Sequence, residues 1–253
     1  MIVFKSIIRK RSPFSYTQFW FTLRNCSSLH IRLYGLDFKD VLASEHATRK
    51  FTDQRVSEKT VIKVIEEAQR TPSLLNSQPW RIYVAEGEVA KAIRKDHEEK
   101  VLAHEEPHED FASLLKVEWD TFPSKNMATM SETLDYFLRG ESDAFDQAQI
   151  KLFNAPVIVF LTIPKKSPAW SIFDLGAFSQ TLMLAANNRG LSTMPAHAFV
   201  KYPDVIRKYL DIPEDESIGI GIGLGYPNKK ATINKYKSKR VPLDEVLKIK
   251  KDL

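Results

Sequence analysis

Two apolar stretches decide which architectures are open to this chain: the near-continuous run Pro156 to Ile163, and the run Ser217 to Tyr226, in which glycine alternates with aliphatic residues. A strand carrying apolar side chains on both faces belongs inside a sheet that is covered on both sides. Residues 156–163 are therefore expected to form a central strand. The second run places Gly219, Gly221, Gly223 and Gly225 between Ile220, Ile222 and Leu224. A phosphate-binding glycine loop turns directly into a helix N-terminus. Here the alternation is strict and ends at Tyr226-Pro227-Asn228, a turn. The spacing predicts a strand whose glycine face lets another backbone approach closely.

Helical periodicity fills the intervals. Residues 37–44 read as a helix with Phe38, Val41 and Leu42 inward. Ser57 to Arg70 reads as an amphipathic helix with Ser57 as N-cap and Val61, Ile62, Val64, Ile65 and Ala68 on one face. Pro72 cannot continue that helix, and the short apolar segment 81–85 suits a strand. Ser171 to Arg189 is apolar on nearly every side, so it must be buried, either in a core or against another subunit. The charged region 87–139 is mostly helical in pattern, with Leu114, Leu115, Val117 and Trp119 as an apolar side. Helices and strands alternate to the C-terminus, which gives an α/β or α+β sandwich with no internal repeat and no linker after residue 36.

Composition narrows the function. With 43% apolar residues, the 253-residue chain can bury one sizeable core, and its single Cys26 excludes an internal disulfide. No run of about 18 apolar residues is present, so no membrane span is expected. The net charge of +5 invites a nucleic-acid reading, but residues 1–35 hold Lys5, Arg9, Lys10, Arg11, Arg24 and Arg32 and no acid. Removing those six from the 37 Lys and Arg leaves 31 against 32 acids, a net of −1 for residues 36–253. The basic excess belongs to the tail, and no nucleic-acid partner is expected. The tail reads as an organellar presequence, a poor secretory signal, or an upstream extension or over-long start before a beginning near Leu36. In each case residues 1–35 stand outside the fold and residues 36–253 form the domain. His97, His104 and His108 sit among Glu98, Glu99, Glu105, Glu106, Glu109 and Asp110. Metal ligands must converge on one point; this spacing reads instead as a solvated helix end, and no metal is expected.

The decapeptide Thr71-Pro-Ser-Leu-Leu-Asn-Ser-Gln-Pro-Trp80 places Ser73, Asn76 and Gln78 between a helix and a strand, where polar groups can be pre-oriented toward a ligand. Ser-x-x-Asn-x-Gln-Pro-Trp in that setting resembles the signature of the FMN-dependent nitroreductase family. Three further stretches resemble the same family. In Glu45-His-Ala-Thr-Arg-Lys-Phe51, His46, Arg49 and Phe51 fit, while Glu45 and Ala47 replace the usual Arg and Ser. In Ser192-Thr-Met-Pro-Ala-His-Ala198, Pro195 is kept, and His197 and Ala198 replace the usual Glu and Gly. Tyr236 to Glu245 resembles the closing basic stretch before Pro-Leu.

The resemblance implies an α+β nitroreductase-like sandwich, with a central, mostly antiparallel sheet flanked by helices, in an intertwined cytoplasmic homodimer. It implies FMN as cofactor and NADPH or NADH as co-substrate, with hydride passed to a nitroaromatic, quinone or similar flat acceptor by a ping-pong mechanism. A flavin-binding or sensing protein and a reductive dehalogenase-type relative are the alternatives on the same fold. The implied cofactor contacts are His46, Ala47, Arg49, Ser73, Leu74, Asn76, Pro195, Ala196, His197, Lys239 and Arg240, with Arg49 at the pyrimidine edge of the flavin and Lys239 and Arg240 at its phosphate. His197, near the reactive nitrogen, is the candidate proton donor. Residues 110–140 are the candidate acceptor wall. No nucleophile elbow occurs, as befits a protein whose cofactor performs the chemistry.

Overall fold

The computed structural model describes residues 37–111, 118–141 and 143–252. The expected extension 1–35, with Cys26, and the expected apolar positions Leu114, Leu115 and Val117 lie outside the described residues.

The chain forms α1 (Phe38–Ser44), α2 (Glu58–Ala68), β1 (Arg81–Glu86), α3 (Gly87–Leu102), α4 (Thr121–Phe137), α5 (Ala144–Ile150), β2 (Val157–Pro164), α6 (Ala169–Asn188), β3 (Ser192–Ala196), α7 (Pro203–Leu210), β4 (Glu216–Gly225) and α8 (Leu243–Val246). The four strands lie in the order β1-β2-β4-β3, and each neighbouring pair is antiparallel.

The run 156–163 is central, as expected. Ile158 and Phe160 of β2 enter a core under α3 and α7, whereas Val157, Val159, Leu161 and Ile163 enter a second core under α2 and α6. One strand thus supplies both layers, which is why its sequence shows no alternation. Along β4 the register with β2 slips between Leu161 and Thr162, whose partners are Ile220 and Ile218. The extra residue is Gly219. The slip moves Ile218 into the α3/α7 core while Ile222 and Leu224 stay in the other.

The glycine face of β4 admits side chains where a neighbouring backbone was expected. A Cβ at Gly221 would overlap Phe199, one at Gly223 would sit 2.8 Å from the Ala155 Cβ, and one at Gly225 would sit 2.6 Å from Pro156 Cγ. The Phe199 ring needs that space and packs 5.7 Å from Phe153. Large rings therefore take the volume that the absent side chains leave.

In α2 the Ser57 hydroxyl accepts from the Thr60 N–H at 3.2 Å, completing the expected cap. Val61, Val64 and Ala68 are buried and Ile62 is exposed. Trp80 stacks on Phe178 of α6 at 4.7 Å, and Arg189 grips Glu67 through two hydrogen bonds. In α1 only Val41 is buried; Phe38 and Leu42, expected inward, face out. Trp119, expected on an apolar side, is exposed.

The histidine cluster is corrected in one respect. His97 is buried at 4% exposure, its ring centroid 5.4 Å from that of Tyr202 in a tilted contact, and so is not part of a solvated helix end. Burial, aided by the charge of Lys201, lowers its pKa from 6.5 to about 4 against a hydrogen bond with the Gln149 backbone. His104 follows the end of α3 in a left-handed conformation, and His108 pairs with Asp204 at 2.9 Å. Among the described residues no His, Cys, Asp and Glu converge on a metal position.

Candidate functional site

Residues 45–52 run between the free edge of β3 and the turn after β4. The Thr48 N–H donates to the Thr193 carbonyl at 2.9 Å, and Phe51 bridges to Pro227. Pro195 in β3 costs nothing on this edge, because an edge strand does not need every N–H for the sheet.

Asn234, 7% exposed, fixes this stretch. Its side-chain carbonyl accepts from the backbone N–H groups of Arg49 at 2.7 Å and Lys50 at 3.0 Å, and its amide donates to the carbonyls of Lys50 at 2.6 Å and Asn228 at 3.0 Å. A fully satisfied buried amide of this kind defines one backbone path. The sequence reading missed it, since a single Asn inside Ala231-Thr-Ile-Asn-Lys-Tyr236 carries no periodic signal.

The path delivers Arg49 into the protein. It is 6% exposed, its Nη1 donates to the Ala47 carbonyl at 3.3 Å, and its guanidinium lies over the rings of Tyr236 at 5.5 Å and Phe145 at 5.7 Å. No carboxylate pairs with it among the described residues. Its Nε and the neighbouring Thr48 Oγ1 are buried without a hydrogen-bond partner. Desolvation lowers the Arg49 pKa, and Tyr236 partly opposes the shift.

Beside Arg49 lies a cavity of about 380 Å³. Its walls bring together three of the four stretches singled out above: Glu45, His46, Ala47 and Arg49; Pro195; and Tyr236, Lys237, Ser238 and Arg240. Helix α6 adds Gln180 and Met183, which sequence reasoning did not mark. The His46 ring spans the carbonyls of Ser44 at 2.7 Å and Asn234 at 3.1 Å. Arg240 is folded onto Ser238, donating to its carbonyl at 3.1 Å and its hydroxyl at 2.9 Å. Lys237, and not the expected Lys239, is the lysine of this wall. Tyr236 anchors α4 to the cavity through its hydroxyl, 2.7 Å from the Thr133 hydroxyl and 3.2 Å from the Met130 carbonyl. Four basic side chains face one acid, Glu45. Such a lining favours an anionic ligand, and the Arg49 Nε is a buried donor with no partner among the described residues.

The decapeptide stands apart. Ser73, Leu74 and Asn76 do not line this cavity within the chain. Leu75, Asn76 and Gln78 are held at φ of 51°, 59° and 43°. Left-handed residues other than glycine are strained and persist only where their surroundings over-determine them. Two groups do so here. The Ser73 hydroxyl accepts from the Gln78 N–H at 2.9 Å, and the Asp174 carboxylate accepts from the Leu74 N–H at 3.2 Å and the Ser77 hydroxyl at 3.5 Å. Asp174, 3% exposed in an otherwise apolar stretch of α6, is the second residue that the sequence reading missed. Its signal was a lone acid in a helix that is apolar on nearly every side.

Ala196 is half-buried at the end of β3, and His197 begins the following turn. The His197 Nε2 lies 3.0 Å from Glu109 Oε1, which ties this turn to the segment leading to residues 110–111. Asp110 is fixed in its turn by Arg207 at 2.8 Å and by the Ile218 N–H at 2.8 Å.

Residues 42–226 match the model of the nitroreductase family. The chain is 32% identical over 211 residues to a 4-nitrobenzoate reductase of Pseudomonas putida, covering 81% of this chain and 91% of that protein. It is 29% identical to a chloronitrobenzene nitroreductase of Comamonas testosteroni, covering 81% of this chain and 93% of that protein. Among solved structures, the FMN- and NADPH-dependent nitroreductase NfnB from sphigopyxis sp. strain HMH superposes with a TM-score of 0.79 at 25% identity, over 86% of this chain and all of that one. The family match spans most of the chain, and the chain belongs to the nitroreductase family.

Proposed function

We propose that this protein is an FMN-dependent oxidoreductase that uses NADPH or NADH to reduce a nitroaromatic, quinone or similar flat acceptor. The observation that carries the reading is Arg49: a buried cation with an unpartnered Nε, beside a cavity lined by His46, Lys237 and Arg240. FMN fits that donor set, because it brings a phosphate and a polar ring edge to a site that offers cations and lacks anions apart from Glu45. When bound, FMN would supply the hydride chemistry. The chain's own part is to hold it. Arg49 and Arg240 bear charge toward an anion, Pro195 presents the β3 edge, with Ala196 and His197 following it outside the cavity lining, and Met183 adds an apolar wall. His197, hydrogen-bonded to Glu109, is the proposed proton source for the acceptor. Donor and acceptor occupy the same face in turn, which is a ping-pong scheme.

Ser73, Leu74 and Asn76 lie outside the cavity of their own chain and belong to the proposed contacts through a homodimer, in which the decapeptide of one subunit completes the groove of the other. Cytoplasmic residence and the absence of nucleic-acid binding belong to the same proposal.

The test is the visible spectrum of the purified protein, followed by addition of NADPH and then 4-nitrobenzoate. Flavin absorbance that bleaches with NADPH and returns with the acceptor is expected. A colourless protein that takes up no added FMN refutes the reading, and flavin that binds but does not bleach with either nicotinamide leaves only the flavin-binding alternative.

A further inference from the structure

Arg49 belongs to two cavities. On the side away from Pro195 and Arg240, it contributes to a second hollow of about 300 Å³, between α5 and the segment 231–233. This hollow shares no other wall with the first. Its charged residues are Arg49, Lys50 and Lys151 against Glu141, an excess of two positive charges, and Gln147 and Asn154 bring side-chain amides. Glu141 is engaged by the Thr232 hydroxyl at 3.4 Å and forms no ion pair with the three cations.

The wall from Leu152 to Asn154 is held at φ of 44°, 58° and 52°. Three successive non-glycine residues in the left-handed region are costly, and they place Phe153 and Asn154 against the hollow. Arg49, which also lines the first cavity, provides the sign of a ligand. It is more than nine-tenths buried, it lines this hollow, and its Nε lacks a partner.

We propose that this second hollow binds a small oxyanion, a phosphate or carboxylate group, between Arg49 and Lys151. A guanidinium offers more than one edge to oxygen acceptors, so one arginine can serve both cavities. Nothing in this inference requires the flavin.

The test is the thermal unfolding midpoint of the full chain in sodium phosphate against sodium chloride, at matched pH and ionic strength, with and without saturating FMN. Lys151→Gln probes the second hollow, and Arg240→Gln probes the first. A ligand at ten times its Kd raises the midpoint of a chain this size by about 3–5 °C. The expected result is a phosphate-specific rise in the parent protein and in Arg240→Gln, in both flavin states, that falls by at least about half in Lys151→Gln. No phosphate-specific rise in the parent overturns the proposal. So does a rise that survives Lys151→Gln but disappears with Arg240→Gln or with FMN, because the anion then sits in the first cavity. Failure to take up FMN overturns the proposed function and leaves this result readable.

Discussion

Arg49 carries a charge to a depth where no carboxylate among the described residues answers it, and Asn234 holds the backbone that puts it there. A buried, unpaired cation weakens a folded protein, and an apolar residue of similar length relieves that cost. Arg49→Met is therefore expected to raise the unfolding midpoint of the flavin-free protein while lowering FMN affinity. A charge-assisted hydrogen bond is worth about 1.5–3 kcal/mol, so the loss of affinity should be about 10- to 100-fold. Flavin titration by fluorescence quenching, paired with calorimetry of the flavin-free form, checks both signs; a variant less stable and equally tight would contradict the role. Asn234→Leu acts differently, because it strands the Arg49 and Lys50 N–H groups and the Lys50 carbonyl. A cost of about 2–4 kcal/mol is expected, measurable by urea unfolding. The sequence made Arg49 visible only by its place in a motif. Asn234 was invisible, since its importance lies in four bonds to residues distant along the chain or in a turn.

Among the elements, β2 and α2 were legible because one physical signal governed each: apolar residues of both parities in β2, and a cap with a single apolar face in α2. Strand β4 was legible as a strand, but what fills its glycine face depends on Phe199, which comes from the turn after β3. Gly221→Ala is expected to destabilise by about 1–3 kcal/mol through overlap with the Phe199 Cβ, and a companion Phe199→Leu, which keeps that Cβ, should not recover the loss in urea unfolding. Helix α3 hides a second lesson, since His97 looked solvated among acids and is instead enclosed by α5 and Tyr202. The unfolded imidazole takes up a proton near 6.5, whereas the folded one resists until about 4. Between those values the unfolded state binds more protons, so stability falls as pH drops through the window, by an amount on the order of 3 kcal/mol. His97→Gln should flatten that acid limb in urea midpoints measured from pH 7 to pH 4, and an unchanged slope would assign the limb to other groups.

At the scale of the molecule, α6 is expected to be buried either in a core or against another subunit, and within one chain a single side of it enters the core. Leu175, Phe178 and Leu182 enter the core, while Trp170 and Phe173 are 59% and 67% exposed and pack edge to face on each other at 6.0 Å. Next to α6, Phe38 of α1 and Leu75 of the strained decapeptide are 67% and 95% exposed. Exposed large apolar side chains on adjoining elements are what a second subunit would cover in the proposed homodimer, and each large side chain withdrawn from water contributes about 1.5–3 kcal/mol. In a two-fold dimer every such residue acts twice. The decapeptide lies on that surface, away from its own chain's cavity, so assembly and cofactor capture should fail together. Sedimentation equilibrium is expected to give twice the 29.0 kDa chain mass for the parent protein and a single chain for Trp170→Glu/Phe173→Glu. That variant should also bind FMN at least about tenfold more weakly, because a monomer lacks the second decapeptide. A monomeric parent would remove the dimer from the proposal. A monomeric variant that keeps full flavin affinity would show instead that one chain's cavity, with Arg49 at its base, is a sufficient site.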